Sequence, residues 1–262
     1  MKIMAKKGIS SADRDSLQIF CSSFLGGALL GWGCALTTVV AGGSAVLLSE
    51  APGLLALLTG AIFPVGISMV VLSGSELLTG NFMLMTLPAW THPTLSKGQV
   101  LARTCYVWGV SGLGNLAGSL FVASALYALS VVPVGSQAAG WLTALTVKKC
   151  ALAPMAAVGK GACANWLVNI GIFQASSAHT TAGKIASLWL PIMTFVTLGL
   201  EHSVANMFLL PLGYLVGADV SSVSIANNIV PVALGNAMGA IFFVAFVQRY
   251  SLLRNLVYTK PI

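Results

Sequence analysis

The feature that most constrains this chain is a series of six long apolar runs joined by short polar links. The runs cover about residues 17–48, 54–87, 100–132, 150–175, 185–216 and 225–247. An α-helix crosses the hydrocarbon of a bilayer with about 20 mostly apolar residues, so each run is long enough to span a membrane. Charged residues make up only 7% of the chain, which is too few to cover a water-facing surface of this size. The sequence therefore predicts an all-α integral membrane protein with six transmembrane helices.

The positions of the basic residues predict the orientation. If the N-terminus is cytoplasmic, ten of the thirteen Lys and Arg residues fall on that same side: Lys2, Lys6, Lys7, Arg14, Lys97, Arg103, Lys184, Arg249, Arg254 and Lys260. This is the positive-inside pattern, and it places both termini in the cytoplasm. The predicted membrane is the bacterial inner (plasma) membrane, with an organelle envelope as the alternative. Because the charges lie at the ends of apolar runs, the net charge of +7 does not indicate a nucleic-acid partner.

The chain contains an internal repeat. Gly-Asn-x-x-Gly occurs at residues 114–118 and again at 235–239, and polar interruptions around Glu76 and Glu201 break the second and fifth runs. Each half has three helices, an odd number, so the second half must enter the membrane from the opposite side. Inverted repeats with broken helices are typical of transport proteins. We interpret the Gly-Asn-x-x-Gly runs as close helix contacts with an Asn bonding across them.

These observations predict one transmembrane domain over residues 1–262. Its parts are a cytoplasmic N-terminal segment, a first repeat, a second repeat and a cytoplasmic tail, at 1–16, 17–132, 150–247 and 248–262.

Ionisable residues inside the apolar runs are the candidates for function, because charge is costly in a bilayer. His202 lies at the interruption of the fifth run. We expect it to share or donate a proton to an anion that passes the break; the alternative is a neutral His202 that donates a hydrogen bond while the proton comes from bulk water. Glu76 and Glu201 are predicted to support the helix breaks by accepting bonds from free backbone N–H groups. Lys160 is either a cation facing a pore or a side chain that snorkels to the interface.

The sequence gives little support for other functions. A zinc protease with Glu201 and His202 needs a second ligand one helical turn later, where the chain has Asn206. The five cysteines have no metal-ligand spacing, so we expect neither a metal site nor another cofactor, and no enzyme. A water or glycerol channel is the rival by fold, but neither half contains Asn-Pro-Ala.

Four segments resemble the signatures of the formate/nitrite transporter family. Residues 75–81 are similar to S-E-L-F-T-G-N, 201–207 match E-H-S-x-A-N-M, and 228–236 are similar to N-L-I-P-V-x-L-G-N. Residues 160–168 resemble the K-G-x-L-C-N-W-L-V of the nitrite-type branch. The usual C-L-A-V-W that follows is replaced here by Asn169-Ile170-Gly171-Ile172-Phe173, which adds a polar group near the expected pore.

The resemblance implies an aquaporin-like fold and a homopentamer in which each protomer has its own pore. It implies that the substrates are small monovalent anions of weak acids. The match at 160–168 favours nitrite, with formate, hydrosulfide and bicarbonate as alternatives. Carried over by position, the implied substrate pathway is His202, Thr79, Asn165, Lys149 and Val168, to which Lys160 is added as a candidate. The implied constriction is Phe63, Ile67 and Phe195.

Overall fold

The computed structural model describes residues 2–88, 92, 94–247 and 250, and these residues are mostly helical. The first half contains α1 to α7: Lys2–Asp13, Ser16–Gly42, Ala45–Glu50, Pro52–Ile62, Pro64–Ser73, Leu78–Leu84 and Lys97–Ala128. The second half contains α8 to α12: Gln137–Cys150, Pro154–Ser177, Thr181–Thr197, Ser203–Leu215 and Ser222–Met238. A π-helical segment, Gly239–Phe246, continues α12.

Four helical stretches in the described part of the chain are long and apolar enough to cross a membrane by themselves: Ser16–Gly42, Pro52–Ser73, Lys97–Ala128 and Ser222–Phe246. α8 and α9 meet this criterion only as a pair, with a bend of 110° between them. The predicted fifth run does not qualify, because its break divides it into α10 and the short apolar helix α11. The structure thus supports a multi-pass membrane protein, while the count of six spans stays a prediction.

Both predicted helix breaks are present. α5 ends at Ser73 and α6 begins at Leu78, while α10 ends at Thr197 and α11 begins at Ser203. The chain leaves α5 through Gly74 at φ +73° and leaves α10 through Gly199 at φ +62°. This left-handed conformation is strained for residues with a Cβ atom, so both interruptions begin at a glycine.

The Gly-Asn-x-x-Gly runs form close helix contacts, as predicted. α2 packs against α7, and α9 packs against α12. A Cβ atom on Gly118 would lie 1.9 Å from the carbonyl oxygen of Phe24, and one on Gly239 would lie 2.1 Å from that of Ala162. The glycines therefore let each helix pair approach to backbone contact, which brings the Asn between them close to the neighbouring break.

Two helices outside the predicted runs, α1 and α8, were not predicted. Residues 137–150, read as an outer loop carrying Lys148 and Lys149, form α8, which Ser136 caps by accepting a hydrogen bond from the backbone N–H of Ala139. α8 packs against α2 and α11. The two lysines in its last turn make the end of the segment polar, which is why the sequence was interpreted as a loop. Cations at a helix C-terminus are in fact favourable, because they interact with the helix dipole.

Candidate functional site

At each helix break, an asparagine from another helix forms hydrogen bonds with the backbone. At the first break, Asn115 donates from Nδ2 to the carbonyl of Glu76 at 2.9 Å, and its Oδ1 accepts from the backbone N–H of Leu78 at 2.7 Å. At the second break, Asn236 donates to the carbonyl of Glu201 at 3.0 Å and accepts from the N–H of Ser203 at 2.8 Å. Each amide therefore replaces the helical partners that the interruption removes.

The two glutamates at the breaks bond side chains rather than backbone N–H groups, so that part of the sequence prediction is wrong. Glu76 forms an ion pair with Arg14 at 2.6 Å. Glu201 forms an ion pair with Lys149 at 2.8 Å. Each carboxylate also accepts a hydrogen bond from the Asn five residues later, Asn81 in the first half and Asn206 in the second. The backbone N–H groups of Leu78 and Ser203 are taken instead by the asparagines of α7 and α12.

One cavity contains His202, and we call it the His202 cavity. Its volume is about 250 Å³. Charged groups in its wall are Lys148, Lys149, Lys160 and Glu201. Three cations therefore face one carboxylate, which makes the described lining electropositive. Phe63 and Phe195 also line this cavity.

The second cavity lies at the other break, and we call it the Glu76 cavity. Its volume is about 350 Å³. Charged groups in its described wall are Lys7, Arg14, Lys184 and Glu76, so three cations again face one carboxylate. The sequence marked Lys7, Arg14 and Lys184 only as indicators of orientation, and gave no signal that they converge on one cavity.

Apolar side chains separate the two cavities. The ring of Phe195 lies between that of Phe63, at 5.8 Å in an edge-on arrangement, and that of His202, at 5.9 Å and nearly parallel. Phe63 lines the His202 cavity, while Ile67, four residues further on, lines the Glu76 cavity. Four residues of helix span about 6 Å, so the barrier is about one helical turn thick at this point. The three residues assigned to the constriction therefore lie where the two cavities approach each other.

The remaining pathway residues are fully buried. Thr79, Asn165 and Val168 line neither of the two cavities as these are described. Asn165 donates to the carbonyl oxygen of Thr79 at 3.0 Å, so α9 is joined to the first residues of α6. Val168 packs in the apolar core.

The two lysines assigned to the pathway lie in the His202 cavity. Lys149 is held by Glu201, while Lys160 reaches the carbonyl oxygen of Gly199 at 3.4 Å. Lys160 thus lines a cavity, and its role as a pore-facing cation or as a snorkelling side chain stays a prediction.

His202 is the N-cap of α11, and this role fixes its hydrogen-bonding pattern. Its Nδ1 accepts a hydrogen bond from the backbone N–H of Ala205 at 3.2 Å. A nitrogen that accepts cannot also carry a proton, so in the neutral ring the proton is on Nε2. His202 therefore presents an N–H donor, and a second proton on Nδ1 would remove the cap of α11.

Comparisons with known proteins show the family to which the chain belongs. Residues 1–250 match the model of a family described as formate/nitrite transporter. A "Probable formate transporter" of Methanothermobacter thermautotrophicus is 38% identical over 252 residues, covering 91% of this chain and 90% of that protein. The "Nitrite transporter NirC" of Salmonella typhimurium is 33% identical over 241 residues, covering 90% of this chain and 83% of that protein.

A solved structure titled "Pentameric formate channel with formate bound" superposes with a TM-score of 0.77. It is 27% identical, and the match covers 92% of this chain and 98% of that chain. The predicted all-helical channel fold is confirmed by this similarity, and a family of transporters agrees with the prediction that the chain is not an enzyme. Because the family model and the relatives cover nearly the whole chain, this protein belongs to the formate/nitrite transporter family.

Proposed function

We propose that this protein is a channel for the small monovalent anions of weak acids, and that it carries both formate and nitrite. The observation that carries the proposal is the N–H donor of His202, which lies beside a one-turn apolar barrier between two electropositive cavities. Relatives named for formate and for nitrite align along most of the chain. The segment 160–168, which is similar to the nitrite-type branch, supports nitrite as the preferred substrate of the two.

In the first step, the two cavities attract the anion. An excess of cations over carboxylates in a low-dielectric cleft raises the local concentration of anions. Lys149 is engaged with Glu201, so Lys148 and Lys160 supply most of the attraction in the His202 cavity. Arg14 is engaged with Glu76, so Lys7 and Lys184 play the equivalent part at the other end.

The barrier then selects against charge. A bare anion between Phe63, Ile67 and Phe195 would exchange its hydration for apolar contacts, which costs several kcal/mol. A neutral acid avoids most of that cost. The species that crosses the barrier in this proposal is therefore the protonated acid.

His202 stays neutral in this mechanism and binds the substrate through Nε2–H. The alternative, in which His202 gives up a proton, requires an imidazolium whose Nδ1–H would point at the N–H of Ala205. The cap of α11 disfavours that state, because two donors would then face each other. The proton that neutralises the anion comes from bulk water.

Exchange of His202 for Asn or Leu tests the mechanism. Asn accepts from Ala205 through Oδ1, presents an N–H donor through Nδ2, and does not titrate between about pH 5 and 8. We expect His202→Asn to keep the pH profile of formate and nitrite flux into proteoliposomes, with rates within about tenfold of the wild type, the worth of one hydrogen bond. His202→Leu loses both bonds and should be nearly inactive. A pH profile that is flat in His202→Asn would show that His202 supplies the proton.

Protein-free liposomes and a neutral solute such as glycerol are the controls for the substrate class. The proposal fails if the protein accelerates neither formate nor nitrite, or if glycerol flux exceeds both.

We also propose that the chain forms a homopentamer in the bacterial plasma membrane with both termini in the cytoplasm. The solved pentameric channel supports the oligomer, and the asymmetry of the basic residues supports the orientation. Native mass spectrometry of the purified protein tests the first point, and protease accessibility of tagged termini in oriented vesicles tests the second.

A further inference from the structure

Two asparagines on one face of α9 are bonded to the same backbone oxygen. Asn165 and Asn169 lie one turn apart, and both donate from Nδ2 to the carbonyl of Thr79, at 3.0 and 3.1 Å. Asn165 also donates to the carbonyl of Asn236 at 2.7 Å, and Asn169 to that of Asn165 at 3.0 Å. All three of Thr79, Asn165 and Asn169 are 0% exposed.

These bonds fix the orientation of both amides. Each Nδ2 donates to two carbonyl oxygens, so exchanging the amide nitrogen and oxygen would bring oxygen against oxygen. The side-chain oxygens of Asn165 and Asn169 therefore face away from Thr79 O. Neither oxygen has a hydrogen-bond partner among the described residues, and the same is true of the Thr79 hydroxyl.

Three buried polar atoms without a protein partner are costly to leave unpaired, which points to a ligand that pairs with them. The positions of these residues along the chain also agree with a ligand site. On α9 the two asparagines fall between Lys160, which lines the His202 cavity, and Ile172, which lines the Glu76 cavity. Gly80, the residue after Thr79, lines the Glu76 cavity as well. The cluster is therefore at the level where the substrate passes from one cavity to the other.

We propose that Asn169 adds an acceptor for the protonated acid beside Thr79 and Asn165, which the family resemblance already assigns to the substrate pathway, and that Asn169 sets the preference for the acid over the anion. Two amide oxygens accept hydrogen bonds and repel a bare carboxylate or nitrite, but either can accept the O–H of the neutral acid. The Thr79 hydroxyl can donate to the second oxygen of the same molecule. The site rests on the proposed function and adds the step at which charge is rejected.

Threonine and valine at position 169 separate this role from a structural one. The two side chains have nearly the same shape, and both lose the bond from Nδ2 to Thr79 O. Thr keeps a hydroxyl that bonds the carbonyl of Asn165 and still offers lone pairs, whereas Val offers none. Asn169→Thr and Asn169→Val therefore differ only in the hydroxyl, which supplies the acceptor for the substrate and the bond to the carbonyl of Asn165.

Formate flux into proteoliposomes is measured for both variants as the external pH is lowered, with osmotic water flux measured in parallel. We expect the rise in formate flux at acid pH to be about tenfold smaller in Asn169→Val than in Asn169→Thr, the worth of one hydrogen bond to the substrate. Equal formate flux in the two variants overturns the site. A difference in water flux alone also overturns it and makes water the occupant.

Two further arms keep the test decisive. If Asn169→Val does not assemble, the comparison is made with Thr79→Ser and Thr79→Val, where loss of the hydroxyl should give the same reduction and an equal flux again overturns the site. A wild type that carries neither formate nor nitrite refutes the proposed function itself, whereas an active wild type with equal Thr and Val variants refutes only the acid site.

Discussion

Replacing Asn236 by leucine is expected to prevent assembly of the protein. The Asn236 side chain accepts from the N–H of Ser203 and donates to the carbonyls of Glu201 and Gly161, at 2.8, 3.0 and 2.8 Å. Leucine fills a similar volume but leaves the N–H of Ser203 and the carbonyl of Glu201 without these bonds, whereas the Gly161 carbonyl, inside α9, keeps its helical bond. At about 1 to 3 kcal/mol for each of the two groups, the loss is about 4 kcal/mol in sum. No other side chain among the described residues bonds these groups, and neither lipid nor apolar side chains can do so.

Thermal unfolding in detergent and gel filtration measure this effect. We expect the Asn236→Leu melting temperature to fall by about 10 °C or more, if a monodisperse species forms at all. Asn227→Leu is the matched control on the same helix, since residue 227 is exposed and the exchange should change the melting temperature little. Asn115→Leu should behave like Asn236→Leu, because Asn115 makes the corresponding bonds at the first break. A stable, active Asn236→Leu protein would contradict the role we assign to both asparagines.

Removing the carboxylate of Glu201 is also expected to destabilise the protein strongly. Glu201→Leu leaves the Lys149 side chain, which is 12% exposed, without its counter-ion. An unpaired cation in so buried a place costs about 3 to 5 kcal/mol. The free energy of unfolding should fall by this amount, and the double variant with Lys149→Met should recover most of it, because it removes the stranded charge. The readout is the melting temperature of the two single variants and the double variant.

Glu76→Leu is the matched comparison at the first break. It leaves Arg14, whose side chain is 36% exposed and can reach water, so the loss should be clearly smaller than in Glu201→Leu. A double variant at Glu201 and Lys149 that is as unstable as Glu201→Leu alone would show that the carboxylate acts through Asn206 rather than through the ion pair.

Much of the fold could be predicted, because the bilayer imposes length and composition on every element. The apolar runs predicted the long helices, and the polar interruptions with Gly74 and Gly199 predicted both breaks within one or two residues. The repeated Gly-Asn-x-x-Gly runs predicted close helix packing. α8 was missed because the segment is short and contains two lysines, which is also typical of a loop.

The site was only partly predictable. The motifs indicated His202, Thr79 and Asn165 by resemblance, and the structure brings Thr79 and Asn165 into hydrogen-bond contact. The roles of Asn115 and Asn236 at the breaks were missed, although the notable spacing of their motifs was visible. Asn169 appeared in the sequence only as a departure from the family pattern, and its unpaired oxygen became apparent in the structure.

The sequence by itself determined that the chain enters a membrane, where two helices break, and which residue types stand at the breaks, since hydrophobicity and glycine conformation act over a few neighbouring residues. Only the tertiary structure decided which partners those residues have. Arg14 and Glu76 are 62 positions apart, Lys149 and Glu201 are 52, and Asn165 and Thr79 are 86. Hydrogen bonds and ion pairs form between atoms within about 3 Å. Helix packing sets that proximity, and periodicity along the chain does not encode it.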